Sequence, residues 1–478
     1  MFLNSSKDLK ISKNTRLALL SSLFLFLSLC TWSLSGPLTS GYDSTFHMAN
    51  IWCANGEKAE ICENYSTFDG KTSADVPAAL ASNPQSPNFF RAELTDPSRK
   101  SPFYTIMNLL VTKNTSQSVL LIRVFNSLIS SLIFFALLFF GTKKARVAVV
   151  SAWTFTITPV IIATLWQPNP RSWGYLSVMS SWAFLYIALD SRSFSKIKKT
   201  CLWITFFVSL LLAFTSRVDA SLFCVFTCGL VLLVHLLKVG FLKPKTVAIA
   251  SGVSITLFLL LRFLSSSIQW YTQFSFNAVF GSRQTLFVII HLPENIADSL
   301  GLGLRYPDLG PNSIGIIGVV LFGIAISSWL REGDAFQIAT TTAVFAFMLL
   351  AMFQIAFYWP EANEASGVYI AALLTVCLGV ASAFSKNESF FPNTNQQRIL
   401  VILLVSISHA LTLYSKFDWS LRASVTKDTY TQLSLNGGWW WDTPIGPNMV
   451  FLIGALAFPS FLIFSWATVL EKPTEITV

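Results

Sequence analysis

Residues 17–52 read LALLSSLFLFLSLCTWSLSGPLTSGYDSTFHMANIW, and this stretch decides the fold class. Its first half, Leu17–Leu34, is an apolar run long enough to cross the hydrocarbon core of a bilayer as a helix. A basic segment precedes the run and no convincing cleavage site follows it, so we expect an uncleaved signal anchor. Pro37 and Gly41 then break the helix. The stretch therefore predicts a transmembrane helix that leads into a polar segment at the membrane surface.

The composition of the whole chain points the same way. Of 478 residues, 53% are hydrophobic and only 12% are charged, and the mean hydropathy is +0.58. Soluble domains carry about 25% charged residues, because their surface faces water. The net charge of +9 comes from short Lys and Arg clusters between apolar runs, which is typical of membrane topology signals and of contact with anionic lipid. A nucleic-acid partner is not expected.

Apolar runs recur along the chain and predict an all-α polytopic membrane protein with about twelve transmembrane helices. We expect a single membrane domain over residues 1–478. The predicted spans are residues 17–34, 119–140, 145–165, 173–189, 202–215, 220–237, 247–264, 313–330, 338–358, 368–383, 399–414 and 449–469.

The basic clusters predict the orientation. The clusters at residues 143–146, 192–199 and 238–245 fall on one side of the membrane if the number of spans is even. The positive-inside rule then places both termini in the cytoplasm, in the plasma or inner membrane of the cell. Three long segments fall outside the cell, and the first is expected to carry interfacial helices; they are residues 35–118, 265–312 and 415–448.

The first candidate site lies directly after the first span. Asp43 and His47 stand four residues apart, so they share one face of a short helix. A carboxylate at the membrane surface suits a general base that acts on a substrate at headgroup level. The alternative is a solvated acid beside a helix start.

A second candidate is the sequence FTSRVDASLF, in which Arg217 and Asp219 occupy a very tight outer turn. The planar guanidinium of Arg217 could bind a lipid phosphate through two charge-assisted hydrogen bonds, and Asp219 is a candidate substrate contact. The alternative is an interfacial Arg–Asp pair that only sets the turn.

A third candidate is WQPNPRSWG at residues 166–174. Its two prolines fix the backbone and place Asn169 and Arg171 beside Trp166, so that Asn169 and Trp166 could contact a sugar and Arg171 a phosphate. Such aromatics are more often part of an interfacial belt. Arg305 is a further candidate for the phosphate. Glu361 is a candidate metal or substrate contact, although it also fits a solvated turn.

The first outer segment also carries Cys53 and Cys62, which an oxidising compartment would allow to pair. Its acids fit no recognised metal-site spacing. No metal ligands are therefore predicted, no cofactor is assigned, and a divalent ion stays an open alternative.

These features resemble the GT-C class of integral membrane glycosyltransferases. More closely, the chain resembles a bacterial membrane-protein family catalogued as domain of unknown function 2142. The resemblance rests on GYDSTFH at residues 41–47, SPFYTIMNLL at 101–110 and TPVIIATLWQPNP at 158–170, and it covers roughly the first half of the chain. Ser44 stands where the family usually has a second acid, which weakens the case for a metal held by an acidic pair.

The resemblance implies an inverting transfer of a sugar from a polyprenyl-phosphate-linked donor to an envelope glycan or lipid acceptor. Asp43 would accept the proton of the acceptor, His47 would orient Asp43 or contact the acceptor, and an arginine such as Arg217 would stabilise the leaving phosphate. The alternatives are a transporter or flippase for lipid-linked saccharides and a non-catalytic assembly partner. A transporter should hold polar groups deep in several spans, whereas here the charges gather at the outer ends.

Overall fold

The structure is a computed structural model of the chain. It describes residues 12–37, 44–54, 66–68, 71–77, 89–94, 101–112, 114–191, 194–239, 312–331, 371–384, 394–423 and 444–470, together with residues 392, 439 and 441. The predicted spans at residues 247–264 and 338–358 lie outside these ranges.

The described residues form thirteen α-helices and three short β-strands. The long helices follow the predicted apolar runs, because a run long enough to cross the bilayer core favours a helix of about that length. Most helix ends lie a few residues away from those expected. The helices are α1 (Lys13–Leu34), α2 (Ser44–Trp52), α3 (Pro102–Asn108), α4 (Thr115–Phe140), α5 (Lys143–Thr156), α6 (Pro159–Leu165), α7 (Pro170–Asp190), α8 (Lys196–Ser216), α9 (Val218–Lys238), α10 (Asn312–Arg331), α11 (Ala371–Phe384), α12 (Asn395–Ala423) and α13 (Pro447–Leu470).

Three helices begin with a polar cap followed by proline. Ser101, Thr158 and Asn169 are the N-caps of α3, α6 and α7, and the side chain of each accepts a hydrogen bond from a backbone N–H of the first turn. Proline suits the first helical position because its missing N–H would have no partner inside the helix. These caps fix where each helix starts and hence where its first side chains lie.

The two ends of the chain pack together as α1 and α13. The hydroxyls of Ser21 and Ser465 lie 2.6 Å apart, and the rings of Phe24 and Phe464 stack with their centroids 5.4 Å apart. Gly454 allows the close approach, since a Cβ there would come within 2.6 Å of the Thr31 hydroxyl. Small residues and interhelical hydroxyls are the usual means of packing helices inside a membrane.

Helix α7 lies at the centre of the bundle and is buried along nearly all its length. The hydroxyls of Ser180 and Ser209 lie 2.8 Å apart and join α7 to α8. Trp182 fills the space that a side chain at Gly379 of α11 would need. These contacts hold the middle of α7 against α8 and α11, and the start of the same helix carries Arg171.

The predicted span at residues 145–165 is wrong as a single helix. It divides into α5 and α6, whose axes differ by 102°. Thr158 is extended, as expected for a residue before proline, and Pro159 begins the new helix. The ring Nε2 of His409 lies 2.7 Å from the carbonyl oxygen of Ile157, the C-cap residue of α5. This hydrogen bond satisfies one carbonyl that the break releases.

The segment at residues 35–118, which was predicted to lie outside the cell, holds more than the helices that were predicted. It contains α2 and α3, and also an antiparallel sheet of β1 (Ser66–Phe68), β2 (Lys71–Pro77) and β3 (Phe89–Leu94) in the order β1-β2-β3. Helix α2 is not a free interfacial helix, because its described side chains from His47 to Trp52 are buried. The amide of Asn108 donates to the carbonyls of Ile51 and Trp52 and so attaches α3 to the end of α2.

Among the described residues, five helices are long and apolar enough to cross a membrane, or six if α5 and α6 form one span. Three shorter apolar stretches lie at residues 220–236, 317–327 and 372–384. The exposed large side chains of α4 and α8 are mainly Leu, Ile, Phe and Trp, as a surface facing acyl chains requires. The chain is thus a multi-pass helical membrane protein, while the count of twelve is not reached within the described residues.

Candidate functional site

One end of the bundle brings together the starts of α3, α7 and α9 with helix α2. The hydroxyl of Ser101 donates to the carbonyls of Thr215 and Ser216 at 2.6 and 2.8 Å, so α3 is fixed to the end of α8. The rings of Phe103 and Trp173 meet edge to face at 4.9 Å and fix α3 to α7. The tight turn predicted around Arg217 is present, since α8 ends at residue 216 and α9 begins at residue 218.

Gly174 sets the distance between α7 and this turn. A Cβ at Gly174 would lie 2.9 Å from the Cβ of Ala220 and 3.4 Å from the hydroxyl of Ser216. Real Cβ atoms do not approach another side chain so closely, so a larger residue would push the two helices apart. Gly174 lies one turn after Arg171, and Ala220 lies three residues after Arg217, so the glycine holds the two arginine-bearing segments against each other.

His47 is the residue around which these segments meet. Its side chain is only 6% exposed, and its Nδ1 lies 2.8 Å from the hydroxyl of Tyr104 on α3. Burial holds the pKa of His47 well below its usual value of 6.5, and the charges of Arg171 and then Arg217 lower that pKa further. The imidazole is therefore neutral at physiological pH. His47 is thus within electrostatic range of both Arg171 and Arg217.

The turn before α7 fixes Arg171. Asn169 is 1% exposed, its side-chain oxygen accepts the backbone N–H of Arg171 at 2.9 Å, and its carbonyl accepts the hydroxyl of Ser172 at 2.8 Å. Arg171 itself is 3% exposed. The structure thus gives Asn169 a capping role, which occupies its side-chain oxygen.

Trp166 lies next to a residue that sequence reasoning left out of the site. It is 1% exposed, and the guanidinium of Arg123 lies 4.8 Å from the centroid of its ring. The indole face is covered by a cation, so Trp166 packs against the protein instead of forming an open sugar platform. A lone Arg in the apolar run of α4 was the only signal in the sequence.

Arg123 joins three segments of the chain. Its Nη1 donates to the carbonyls of Ser33 and Gly36 at 2.7 and 3.1 Å, and its Nη2 donates to the carbonyl of Pro37 at 2.8 Å. Its guanidinium also lies 5.5 Å from the ring of Trp441, whose indole N–H donates to the carbonyl of Leu34. Arg123 therefore binds the end of α1, from which the segment with Asp43 departs.

Several predicted site residues lie outside the described residues, namely Asp43, Arg305, Glu361 and Cys62. Asp219 belongs to the first turn of α9 by its backbone, and its side chain is not described. Cys53 is bonded in a disulfide. Among the described residues no group of three or more His, Cys, Asp or Glu side chains could hold a metal ion.

Comparisons with protein-family models, with characterised proteins and with solved structures find no match to this chain. What the site can do therefore rests on its own geometry. The charges of buried Arg171 and half-buried Arg217 act on a buried, neutral imidazole that is hydrogen-bonded to a phenol. Such a group of donors in a poorly solvated place favours a phosphate or another oxyanion over a neutral ligand.

Proposed function

We propose that the protein is a GT-C-type glycosyltransferase, which transfers a sugar from a polyprenyl-phosphate-linked donor to an envelope glycan or lipid acceptor. The observation that carries the proposal is the convergence, at one end of the bundle, of the segments that contain Arg171, Arg217 and His47, through the contacts of Gly174, Ser101 and Tyr104. These residues come from three separate segments of the sequence, each of which contains a candidate site. A site at the end of transmembrane helices lies at the level of the lipid headgroups, where a lipid-linked phosphate can bind.

The proposed reaction is an inverting single displacement. The acceptor hydroxyl oxygen attacks the anomeric carbon as the bond from that carbon to the phosphate oxygen breaks. Asp43 takes the proton of the hydroxyl, and the lipid phosphate leaves with the bonding electron pair. Arg171 and Arg217 stabilise the charge on that phosphate, and each is expected to contribute about 10²–10³-fold to the rate, as an oxyanion-hole donor does.

His47 and Tyr104 have a supporting role in this proposal. The neutral imidazole offers a hydrogen-bonding group without adding a third positive charge beside the arginines, and Tyr104 fixes the plane of its ring. An imidazole held in this way can orient Asp43 or the acceptor hydroxyl. Arg305 and Glu361 remain proposed contacts for the donor phosphate and the substrate, respectively. The proposal routes no step through a metal ion.

The proposal includes the topology of about twelve spans with both termini in the cytoplasm of the cell. The starts of α1, α5 and α8 lie at the end of the bundle opposite to the candidate site, and all three carry Lys or Arg. The positive-inside rule assigns such an end to the cytoplasm. The site then faces outward in the plasma or inner membrane, where envelope polymers are assembled.

The test is an analysis of envelope glycan in a strain that lacks this gene. The strain is complemented with wild type, Asp43→Asn, Arg217→Gln or Arg16→Gln at matched levels in the membrane. We expect one sugar to be missing in the deletion strain and to be restored by wild type and by Arg16→Gln only.

Arg16→Gln is the control because it removes one exposed cation from the start of α1, far from the site. Restoration of the sugar by Asp43→Asn and Arg217→Gln to wild-type levels would refute the proposal.

A specific observation favours a second function, a transporter for lipid-linked saccharides. Transporters often carry broken helices and buried ionisable residues at membrane depth. Here the buried ring of His409 is hydrogen-bonded to the carbonyl of Ile157, at the break between α5 and α6. A small pocket lies beside the break, and His409, Ser408, Thr154 and Thr158 contribute to its lining.

Measurement of the lipid-linked precursor separates the two functions. If the deletion strain accumulates the complete precursor on the inner leaflet, and His409→Phe does the same, the protein is a transporter. A glycosyltransferase instead leaves the donor accessible on the outer leaflet, with the acceptor unmodified.

A further inference from the structure

At the end of the bundle opposite to the candidate site, four segments meet. The hydroxyl of Thr142, the N-cap of α5, donates to a carboxylate oxygen of Asp190 at the end of α7. The guanidinium Nε of Arg146 donates to the carbonyl of Leu138 in the last turn of α4 at 2.8 Å. The start of α8 lies beside the end of α4, since the ammonium of Lys198 is 5.8 Å from the ring centroid of Phe139.

These segments concentrate positive charge. Residues 137–146 and 186–199 contain seven Lys and Arg residues and a single acid, Asp190. Arg146 and Lys198 come from different helices yet lie close enough to interact electrostatically. Like charges held together in this way repel each other, and an anion placed beside them relieves the repulsion. Of the seven, Arg192 lies outside the described residues, and the others are Lys143, Lys144, Arg146, Lys196, Lys198 and Lys199.

The positions of the two central cations are fixed by packing. The ammonium of Lys198 lies 4.1 Å from the ring centroid of Phe194. A Cβ at Gly141 would lie 2.9 Å from the side chain of Arg146, so glycine leaves the room that the arginine needs. A cation held by aromatic and backbone contacts is pre-organised for an anion, because less conformational freedom is lost on binding.

Apolar side chains are exposed directly beside these cations. Ile197 is 79% exposed and Phe139 is 36% exposed, and both stand next to the basic residues. This end is also where the candidate span at residues 116–140 finishes and the one at residues 196–216 begins. Cations and exposed apolar groups at the end of membrane spans match the two parts of a phospholipid, its headgroup and its acyl chains.

We propose that the starts of α5 and α8, with Arg146 and Lys198 at the centre, form a binding site for the phosphate of an anionic phospholipid. The proposal is independent of the glycosyltransferase function, since it uses other residues at the other end of the molecule. The phosphate chemistry is common to a lipid headgroup and to free phosphate. The exposed Ile197 and Phe139 favour the lipid, because its acyl chains can pack against them and free phosphate has no apolar part.

The test is a lipid titration of the full-length protein purified in a neutral detergent, with binding followed by native mass spectrometry. The added ligands are a phosphatidylglycerol, a phosphatidylcholine with the same chains, and inorganic phosphate. We expect phosphatidylglycerol to bind more tightly than phosphatidylcholine. The pair Arg146→Gln and Lys198→Gln should weaken phosphatidylglycerol binding roughly 30-fold, as the loss of two cations near a membrane surface predicts.

The control pair is Lys13→Gln and Arg16→Gln, which removes two cations from the start of α1 and should leave the binding unchanged. If the Arg146 and Lys198 pair does not yield folded protein, Lys196→Gln with Lys199→Gln tests the same site, and Lys196 is exposed. Equal binding of the two lipids, equal losses in the site and control pairs, or displacement of the lipid by equimolar inorganic phosphate would each overturn the proposal.

Discussion

The two ends of the helical bundle both carry positive charge, but they hold it in different ways. At one end Arg123 and Arg171 are 0% and 3% exposed and are fixed by carbonyls, caps and aromatic rings. At the other end Lys196 and Arg16 are exposed at the starts of helices, and Arg146 and Lys198 are only partly buried. Moving a charge out of water costs several kcal/mol unless hydrogen bonds or other charges compensate it, so a buried arginine indicates a structural or functional role at its position. Burial therefore separates a candidate site from a topology signal more sharply than charge does.

The largest effect on stability is expected from Arg123. Arg123→Met leaves the carbonyls of Ser33, Gly36 and Pro37 without their donor, and each buried unsatisfied carbonyl costs about 1–3 kcal/mol. We expect a loss of at least about 3 kcal/mol, measured as a lower unfolding temperature of the purified protein in detergent.

Arg123→Lys sharpens this prediction. An ammonium can keep some of the hydrogen bonds but loses the planar contact with Trp166, so its loss should be smaller. Arg16→Met at the opposite end should change the unfolding temperature little. The comparison between the ends fails if Arg123→Met is as stable as Arg16→Met.

The next effect concerns Gly174, which holds α7 against the turn at Arg217. Gly174→Ala places a Cβ where Ala220 already lies and should destabilise the protein by about 1–3 kcal/mol, as overpacked cores are. Thermal unfolding and the complementation assay should both show the loss.

Gly229→Ala on α9 is the matched control, because a Cβ there meets nothing within 4 Å. In a helix it should be neutral or stabilising by about 0.5–1 kcal/mol. If both alanine variants behave alike, the close contact at Gly174 does not position the site.

The smallest effect is the pH dependence due to His47. Its pKa is lower in the folded state than in the unfolded state, so the unfolded chain binds more protons below pH 6.5. The contribution of His47 to stability is thus fully present above pH 6.5 and decreases as the pH falls. Thermal unfolding between pH 7.5 and about pH 5 should show this decrease, in addition to that of other groups.

His47→Gln should flatten the part of the profile that begins near pH 6.5. Arg171→Gln should also make the loss of stability below pH 6.5 smaller, because the pKa of His47 rises when a neighbouring cation is removed. An unchanged pH profile in both variants would show that His47 is not buried beside the arginines.

The sequence predicted the long helices because they depend on local composition. The runs that became α1, α4 and α8 are apolar over the length of a bilayer, so a hydropathy window finds them directly. The break between α5 and α6 depends on one pair, Thr158–Pro159, which a hydropathy window averages away. The sheet at residues 66–94 was missed because its strands are short and have no clear apolar alternation.

The candidate site was predicted in pieces. His47, Arg171 and Arg217 were each singled out for their position at a membrane boundary, but no local pattern states that they meet. Their meeting depends on long-range contacts such as those of Ser101 with the end of α8. Trp166 and Asn169 were assigned to a sugar because sequence shows residue type and not burial. Arg123 was underrated for the same reason.

The central claim is that Arg171 and Arg217 at the candidate site, and not the overall positive charge of the chain, serve the transfer of sugar. The most direct measurement compares two charge-matched pairs in the deletion strain, Arg171→Gln with Arg217→Gln and Lys13→Gln with Arg16→Gln, at equal membrane levels. We expect the first pair to leave less than about 1% of the wild-type sugar on the envelope glycan, since each arginine contributes as an oxyanion donor does. The second pair should restore it fully. Full restoration by the first pair, or equal losses in both, would contradict the account.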